Sequence, residues 1–392
     1  MGQRRQDLEA HLEAWGLRQF TSDEAYFRWQ RQALSTDELT ALHEHAERKR
    51  HGMSEDETAF YDLSAAPRIF PVLYSQRYDY YAAIGPLVAG ELHNAATILD
   101  FGCGPGILTT FYARRYPQAH VVGVDRSRAS LAVAQQKAED LHLDNVTFEY
   151  ADVEAGSPGG TYDCVVATHA LVQSEQDVGL PSATWRTFDR ARDPLAQSAF
   201  EQRTGLGVRL DRLTAALRTG GTMIVFEKTR QLARRIPLQR ALAARALHLV
   251  QPPQPIRYSL VEDISDDGPL YVLRKAAGGG VAWDEHPEPD PGRPFDRAAS
   301  RSGSSAADVP VYENHWPSAQ RAWEQLSDKT VMREDTSEES DGRQLHVELG
   351  TAEGLRYLYC ANTFDQRQLV MVQPAGAAVL HTYYQEIIQG SA

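Results

Sequence analysis

The residues of this chain best placed for chemistry begin at Asp100. Three glycines follow it at alternate positions, Gly102, Gly104 and Gly106, between the apolar pair Ile98 and Leu99 and an apolar helical run over 107–112. Glycine lacks the β-carbon that disfavours positive φ, so a turn of this kind brings backbone N–H groups close to a ligand at a helix N-terminus. An acidic residue at the tip of the next strand, about 20 residues on, can accept from both hydroxyls of a ribose, and Asp125 holds that place. Thr168 and His169 end a later apolar strand, and Glu227 ends the one after it. An imidazole ordinarily titrates near neutrality, which makes His169 the first candidate for a general base and Glu227 the second. Either can instead hydrogen-bond a backbone turn.

The elements needed to position these groups are legible around them. An apolar strand, a glycine turn and the helix 107–116 form the first half of a nucleotide-binding βαβ unit. His120 to Val124 reads as a short buried strand ending at Asp125, and 127–141 as an amphipathic helix with Leu131, Val133, Ala134 and Ala138 on one side. A third strand alternates Val146, Phe148 and Tyr150 and leads to Asp152 and Val153; a fourth covers 162–167. Ligands of open α/β sheets lie beyond the carboxyl ends of the strands, so Thr168, His169, Gln173, Ser174 and Glu175 are candidates to face a reacting group. An expansion over 176–208 carries Trp185, Phe188 and Phe200 and reads as a helical insert over the acceptor side. A helix over 210–217 stopped by Gly220 and Gly221, a fifth strand over 222–226, helix over 229–249 with a break near Pro237, and an antiparallel pair over 256–263 and 269–276 complete seven strands.

The glycine spacing selects among nucleotides. A dinucleotide fingerprint is G-x-G-x-x-G; here Ile107 stands where the third glycine belongs, which argues against a bound pyrophosphate. The string D-F-G-C-G-P-G at 100–106 instead resembles motif I of the class I S-adenosylmethionine-dependent methyltransferases. The resemblance covers about half the chain, and it implies a Rossmann-like seven-stranded methyltransferase sheet and S-adenosyl-L-methionine as cofactor. It assigns Asp100, Gly102, Gly104 and Gly106 to the cofactor turn and Asp125 to the ribose. It further implies Asp152 as acceptor from the adenine amino group and Val153 as apolar packing on the base. In similar enzymes an aromatic residue upstream of motif I lies against the sulfonium, where a ring face attracts a cation. Tyr74 and Tyr78, one turn apart, suit that role or a helix core. No N-P-P-Y or D-P-P-Y follows the fourth strand, which removes the usual signature for methylating exocyclic amines of nucleobases. The reading is transfer of a methyl group to a small-molecule acceptor on oxygen or nitrogen. The alternatives are a protein or peptide methyltransferase with a C-terminal recognition domain, and a catalytically silent S-adenosylmethionine-binding protein.

Bulk properties bound the partners. A net charge of −13 over 392 residues argues against general nucleic-acid binding. Three cysteines, Cys103, Cys164 and Cys360, are too few and scattered for a disulfide framework or zinc site, and no histidine–carboxylate cluster has metal-ligand spacing. No apolar run is long enough to span a membrane, and the expectation is a cytoplasmic protein. Residues 186–245 hold 13 basic and 5 acidic side chains, a local excess that suits an anionic acceptor. The expected organisation is an N-terminal helical region over 1–75, opened by capping boxes at Thr21/Glu24, Ser35/Glu38 and Ser54/Glu57. The methyltransferase domain follows over 76–276, then a flexible linker over 277–310 and a small α+β accessory domain over 311–392.

Overall fold

A computed structural model describes residues 2–51, 54–172, 179–259, 267–276, 280–296, 298, 309–339 and 342–390. The N-terminal region is helical: α1 (Gly2–Ala14), α2 (Asp23–Ala33), α3 (Thr36–His51), α4 (Ser54–Ser64), α5 (Ile69–Ser75) and α6 (Tyr78–Glu91). The Ser35 box forms as expected, with Ser35 N–H donating to Glu38 Oε2 at 2.7 Å and Glu38 N–H to Ser35 Oγ at 3.2 Å. Helix α2 is capped one residue later than expected, by Ser22 rather than Thr21, because Ser22 has the extended backbone a cap requires. The Ser54 side chain lies outside the described set.

Then β1 (Thr97–Phe101), α7 (Ile107–Arg115), β2 (His120–Asp125), α8 (Arg128–Asp140), β3 (Val146–Tyr150) and β4 (Tyr162–Thr168) alternate. They are followed by α9 (Pro194–Arg203), α10 (Leu206–Ala216), β5 (Leu217–Phe226), α11 (Leu232–Ala243), β6 (Leu247–Leu249) and β7 (Tyr271–Lys275). The seven strands lie in the order β3-β2-β1-β4-β5-β7-β6. β1 is parallel to β2 and β4, and β7 runs antiparallel to β5. The order reverses at β1, between β2 and β4, and a crevice opens at such a switch point beyond the carboxyl ends. This is the Rossmann-like sheet expected. Its apolar interior includes Ile98, Val121, Val166 and Ile224, joined by Leu8, Leu12 and Ile84 from α1 and α6.

Three local expectations are corrected. Helix α10 ends at Ala216, and Gly220 (φ +76°) and Gly221 lie within β5, where the register against β4 shifts between Tyr162 and Cys164. The helix expected to reach 249 stops at Ala243. Leu247 and Leu249 then alternate into the interior as β6, the antiparallel partner of β7. The expected partner strand at 256–263 is not one over 256–259, and 260–263 lie outside the described residues.

The chain divides into two compact units, and the second gathers residues 178–197, 231–237 and 284–392. Its framework is β8 (Tyr312–Asn314), α12 (Ser318–Glu324), β9 (Thr330–Glu338), β10 (Gln344–Ala352), β11 (Leu355–Asn362), β12 (Arg367–Val372) and α13 (Ala377–Gly390). The strands form one antiparallel sheet, ordered β8-β12-β11-β10-β9. Period-two alternation splits its side chains. Val347, Leu358 and Val370 meet Leu380 and Tyr384 of α13, while Tyr357, Tyr359 and Met371 share the other core with Trp185 and Ala322.

The region read as an acceptor-side insert therefore supplies core to this second unit over 179–197, and among its described residues it is helical only from Pro194. The Trp185 ring stacks on His346 at 3.6 Å, and buried Arg190 pairs with Asp365 at 2.6 Å. The expected linker is tied down over 284–296 by side chains its composition does not advertise. Asp290 accepts from Ser318 N–H at 2.7 Å and from its hydroxyl at 2.5 Å, and Phe295 packs edge-on against Tyr312.

Candidate functional site

A cleft lies over the carboxyl ends of β1, β2 and β4, lined by residues of the first unit alone. Its floor is the glycine turn. Gly102 and Cys103 donate their N–H groups to Val124 O at 2.9 and 3.1 Å, which fastens the turn to the end of β2. Gly102 is required for space: a β-carbon there would stand 2.4 Å from the Ala170 methyl of the loop after β4. Gly104 (φ +54°) is required for its backbone, and a β-carbon on it would meet nothing within 4 Å. Gly106 does not line the cleft. Its φ is +78°, it starts α7, and a β-carbon would meet Ala134 and the Phe148 ring at 2.8 Å, so it serves helix–sheet packing. Its expected place in the cofactor turn is corrected accordingly.

The carboxylates are braced by backbone. Asp125 Oδ2 accepts from Gly104 N–H and Oδ1 from Ser127 N–H, both at 2.8 Å. Each oxygen keeps a further lone pair. Burial raises the Asp125 pKa, and the two backbone donors oppose that rise. Asp100 is buried and accepts from Thr109 Oγ1 at 2.6 Å; burial pushes it up to about 7. Asp152 Oδ1 accepts from Glu154 N–H at 2.9 Å, and Val153 beside it is buried. Both line the cleft, as does Thr168.

The two upstream tyrosines separate. Tyr74 lines the cleft, whereas Tyr78 is buried in the interior shared with α1 and lines no part of it. Tyr78 is thus corrected to a core residue. Gln173, Ser174 and Glu175 lie outside the described residues.

Neither candidate base is free. Glu227 is buried and does not line the cleft; its Oε1 accepts from Ala170 N–H and Leu171 N–H, both at 2.8 Å. It holds the loop that lines the cleft, so its expected role as a base is corrected to that of a brace. Burial pushes it up to about 7, against the backbone donors. His169 does line the cleft, with φ +55°. One ring nitrogen, Nε2, lies 2.6 Å from Asp267 Oδ1, and the other, Nδ1, lies 3.0 Å from Arg77 Nη2. A guanidinium only donates, so Nδ1 is the acceptor and Nε2 carries the proton toward Asp267. Burial lowers the His169 pKa to about 4, although Asp267 pulls it up. The ring stacks on Tyr80 at 4.8 Å. The base expected at His169 is corrected to a neutral ring engaged at both nitrogens.

Sequence reasoning missed Arg77 and Asp267. Arg77 caps α6 within a tyrosine-rich segment, lines the cleft and lies 5.3 Å from the Tyr80 ring centroid. It stands 92 residues from His169, and Asp267 stands 98 away, so no local spacing marks the trio. The basic excess over 186–245 is offset in part by ion pairs within each unit. Arg209 pairs with Glu154, Arg218 with Asp163, Arg235 with Glu288, and Arg245 with Glu201 and Asp211.

Residues 92–236 match the family model described as "Methyltransferase domain". The (S)-tetrahydroprotoberberine N-methyltransferase of Eschscholzia californica is 36% identical over 101 residues, 25% of this chain and 29% of its own. The trans-aconitate 2-methyltransferase of Variovorax paradoxus (strain S110) is 31% identical over 156 residues, 40% of this chain and 47% of its own. The chain thus spans less than half the length of either relative. The N-methyltransferase NodS from Bradyrhizobium japonicum WM9, solved with S-adenosyl-L-homocysteine, aligns with 49% of this chain and 84% of its own. Its TM-score is 0.35 and its identity 14%. No helix among the described residues is long and apolar enough to cross a membrane.

Proposed function

From a central region, residues 92–236, that belongs to the class I S-adenosylmethionine-dependent methyltransferases, we propose that the protein transfers a methyl group from S-adenosylmethionine to a small-molecule acceptor, on oxygen or nitrogen. The observation that carries this reading is the convergence of the Gly102–Gly104 turn, Asp125, Asp152 with Val153, and Thr168 on one cleft at the switch point of the sheet.

The cleft fits the cofactor. The open space in front of Gly104 is a cradle that a β-carbon would fill. Asp100, Asp125 and Asp152 gather acidic groups along it, which suits a ligand that is a cationic sulfonium and disfavours a pyrophosphate. Asp125 would take the ribose hydroxyls on its remaining lone pairs, Asp152 the adenine amino group and Val153 the base. Tyr74 supplies the aromatic wall near the turn. When bound, S-adenosylmethionine supplies an already activated methyl electrophile. The work left to the chain is to hold the acceptor in line and keep water away. With His169 tied at both nitrogens and Glu227 turned to the backbone, the reading favours acceptors that arrive with a free lone pair, such as a free amine or a carboxylate. Such acceptors need no base before transfer.

The same two observations favour one second reading, a binder of S-adenosylmethionine that turns nothing over. Calorimetry with S-adenosylhomocysteine, followed by transfer of labelled methyl from S-adenosylmethionine into a fractionated cell extract, separates the two. Label in the metabolite fraction is expected. Label in protein alone overturns the small-molecule reading, and binding without label overturns transfer.

A further inference from the structure

The cleft wall at 152–154 hangs off the edge of the sheet. β3 is the outermost strand and ends at Tyr150, and Ala151 N–H still reaches Asp125 O at 3.2 Å. Beyond that the chain bonds to itself. Asp152 O accepts from Ala155 N–H at 3.0 Å and from Gly156 N–H at 2.9 Å, and Asp152 Oδ1 accepts from Glu154 N–H at 2.9 Å. Bonds made within a turn fix its shape and leave its place in the cleft to outside contacts.

Two arginines of α10 supply such contacts. Arg212 Nη1 donates to Val153 O at 2.5 Å. Arg209, 4% exposed, ties two cleft-lining loops together. Its Nη1 donates to Leu171 O at 2.9 Å, on the loop after β4, and its Nη2 donates to Glu154 Oε1. One planar fork spans both acceptors, which the point charge of an ammonium does not. The backbone makes room for the pair: Gly205 begins α10 at φ +68°, and a β-carbon there would stand 3.1 Å from Glu154 Oε1 and 3.2 Å from Arg209 Cζ.

The residue that Arg209 grips by its side chain is the one whose N–H holds Asp152. With Oδ1 turned to that N–H, Asp152 keeps Oδ2 for the base. Adenine offers an amino donor at its 6-position and hypoxanthine a carbonyl acceptor, so the carboxylate can tell them apart only if its free oxygen is held in place. A shift of ~0.5 Å is enough to spoil such a contact. On the reading that Asp152 takes the adenine amino group, we infer that Arg209 is the positioning residue that sets the base selectivity of this cleft. It acts through Glu154, with Leu171 as its fixed post.

The test compares two probes in the full-length protein by calorimetry. S-Adenosylhomocysteine and S-inosylhomocysteine differ only in carrying adenine or hypoxanthine. The parent should bind the first at least tenfold tighter. In Arg209→Met, S-adenosylhomocysteine should weaken at least fivefold and S-inosylhomocysteine less than twofold, so that the preference collapses. Arg209→Lys keeps the charge without the fork and should fall between. Should Arg209→Met not fold, Glu154→Ala cuts the same tie at a side chain 40% exposed and should narrow the preference at least threefold. The double variant should lose little more than Arg209→Met alone, because both remove one contact. Equal weakening of both probes, as a merely structural role would give, overturns the inference, and so does an unchanged preference or a sum of independent losses in the double variant. A parent that binds both probes alike overturns the adenine assignment of Asp152 and the inference with it. A parent that binds neither overturns the methyltransferase reading on which both stand.

Discussion

Replacing Glu227 by glutamine tests whether this residue is a brace or a base. Its carboxylate is 1% exposed and takes two backbone N–H groups on one oxygen. Burial raises its pKa from 4.5 to about 7, a displacement worth ~3 kcal/mol. Below pH 4.5 the folded and unfolded chains both carry the proton, and the group contributes no pH dependence. Between 4.5 and about 7 the unfolded chain releases the proton while the folded chain keeps it, so stability falls as pH rises. Above about 7 both are ionised and the loss is complete. Glu227→Gln removes this titration. The amide also places a donor where the carboxylate accepted, a penalty of ~1–3 kcal/mol that is the same at every pH. Urea unfolding of both proteins from pH 4 to pH 8 should therefore show the variant gaining on the parent by ~3 kcal/mol across that window, with S-adenosylhomocysteine affinity unchanged. Parallel stability profiles would refute the buried-carboxyl argument, and a variant that folds and binds but transfers no methyl would restore Glu227 as a catalytic group.

Asp125→Asn should weaken S-adenosylhomocysteine binding by ~1–3 kcal/mol and also lower the unfolding temperature, because Gly104 and Ser127 lose a charged acceptor; an unchanged dissociation constant removes the ribose assignment. Gly106→Ala should cost ~1–3 kcal/mol of stability, since its φ is +78° and the new methyl meets Phe148 at 2.8 Å. Calorimetry on the folded fraction should give the parent affinity, and a selective loss of binding would return Gly106 to the cofactor turn. Transfer rates of the parent protein should show no inflection between pH 6 and 7 from His169, whose pKa burial lowers to about 4. An inflection there that disappears in His169→Gln would make it the base after all.

What was legible in the chain was what depends on neighbours in sequence. The strand–turn–helix at 97–115 and the acidic tips Asp125 and Asp152 follow from alternation, glycine spacing and strand ends, all short-range signals. The failures have long-range causes. Arg77, His169 and Asp267 meet across 92 and 98 residues, so neither composition nor periodicity connects them. Gly106 carries the same letter as Gly104, and only the Phe148 ring behind it separates packing from ligand approach. Tyr74 and Tyr78 share a face by spacing, yet a helix break between α5 and α6 sends Tyr78 into the interior. Counting arginines over 186–245 overstated the free charge, because the acids that neutralise Arg209, Arg218 and Arg235 lie outside the counted window.

The assignment of 178–197 to the C-terminal unit sets a schedule for synthesis. This segment leaves the ribosome directly behind β4, but Arg190 finds its carboxylate only at Asp365, 175 residues later. At ~5–20 residues per second, that is a delay of ~10–35 s with Trp185 and the Arg190 guanidinium unsheltered. A nascent chain in this interval offers a chaperone an apolar, basic loop set between two finished strands. A protein cut at residue 310 would stay in that condition permanently, so such a truncation reports on an orphaned loop as much as on acceptor recognition.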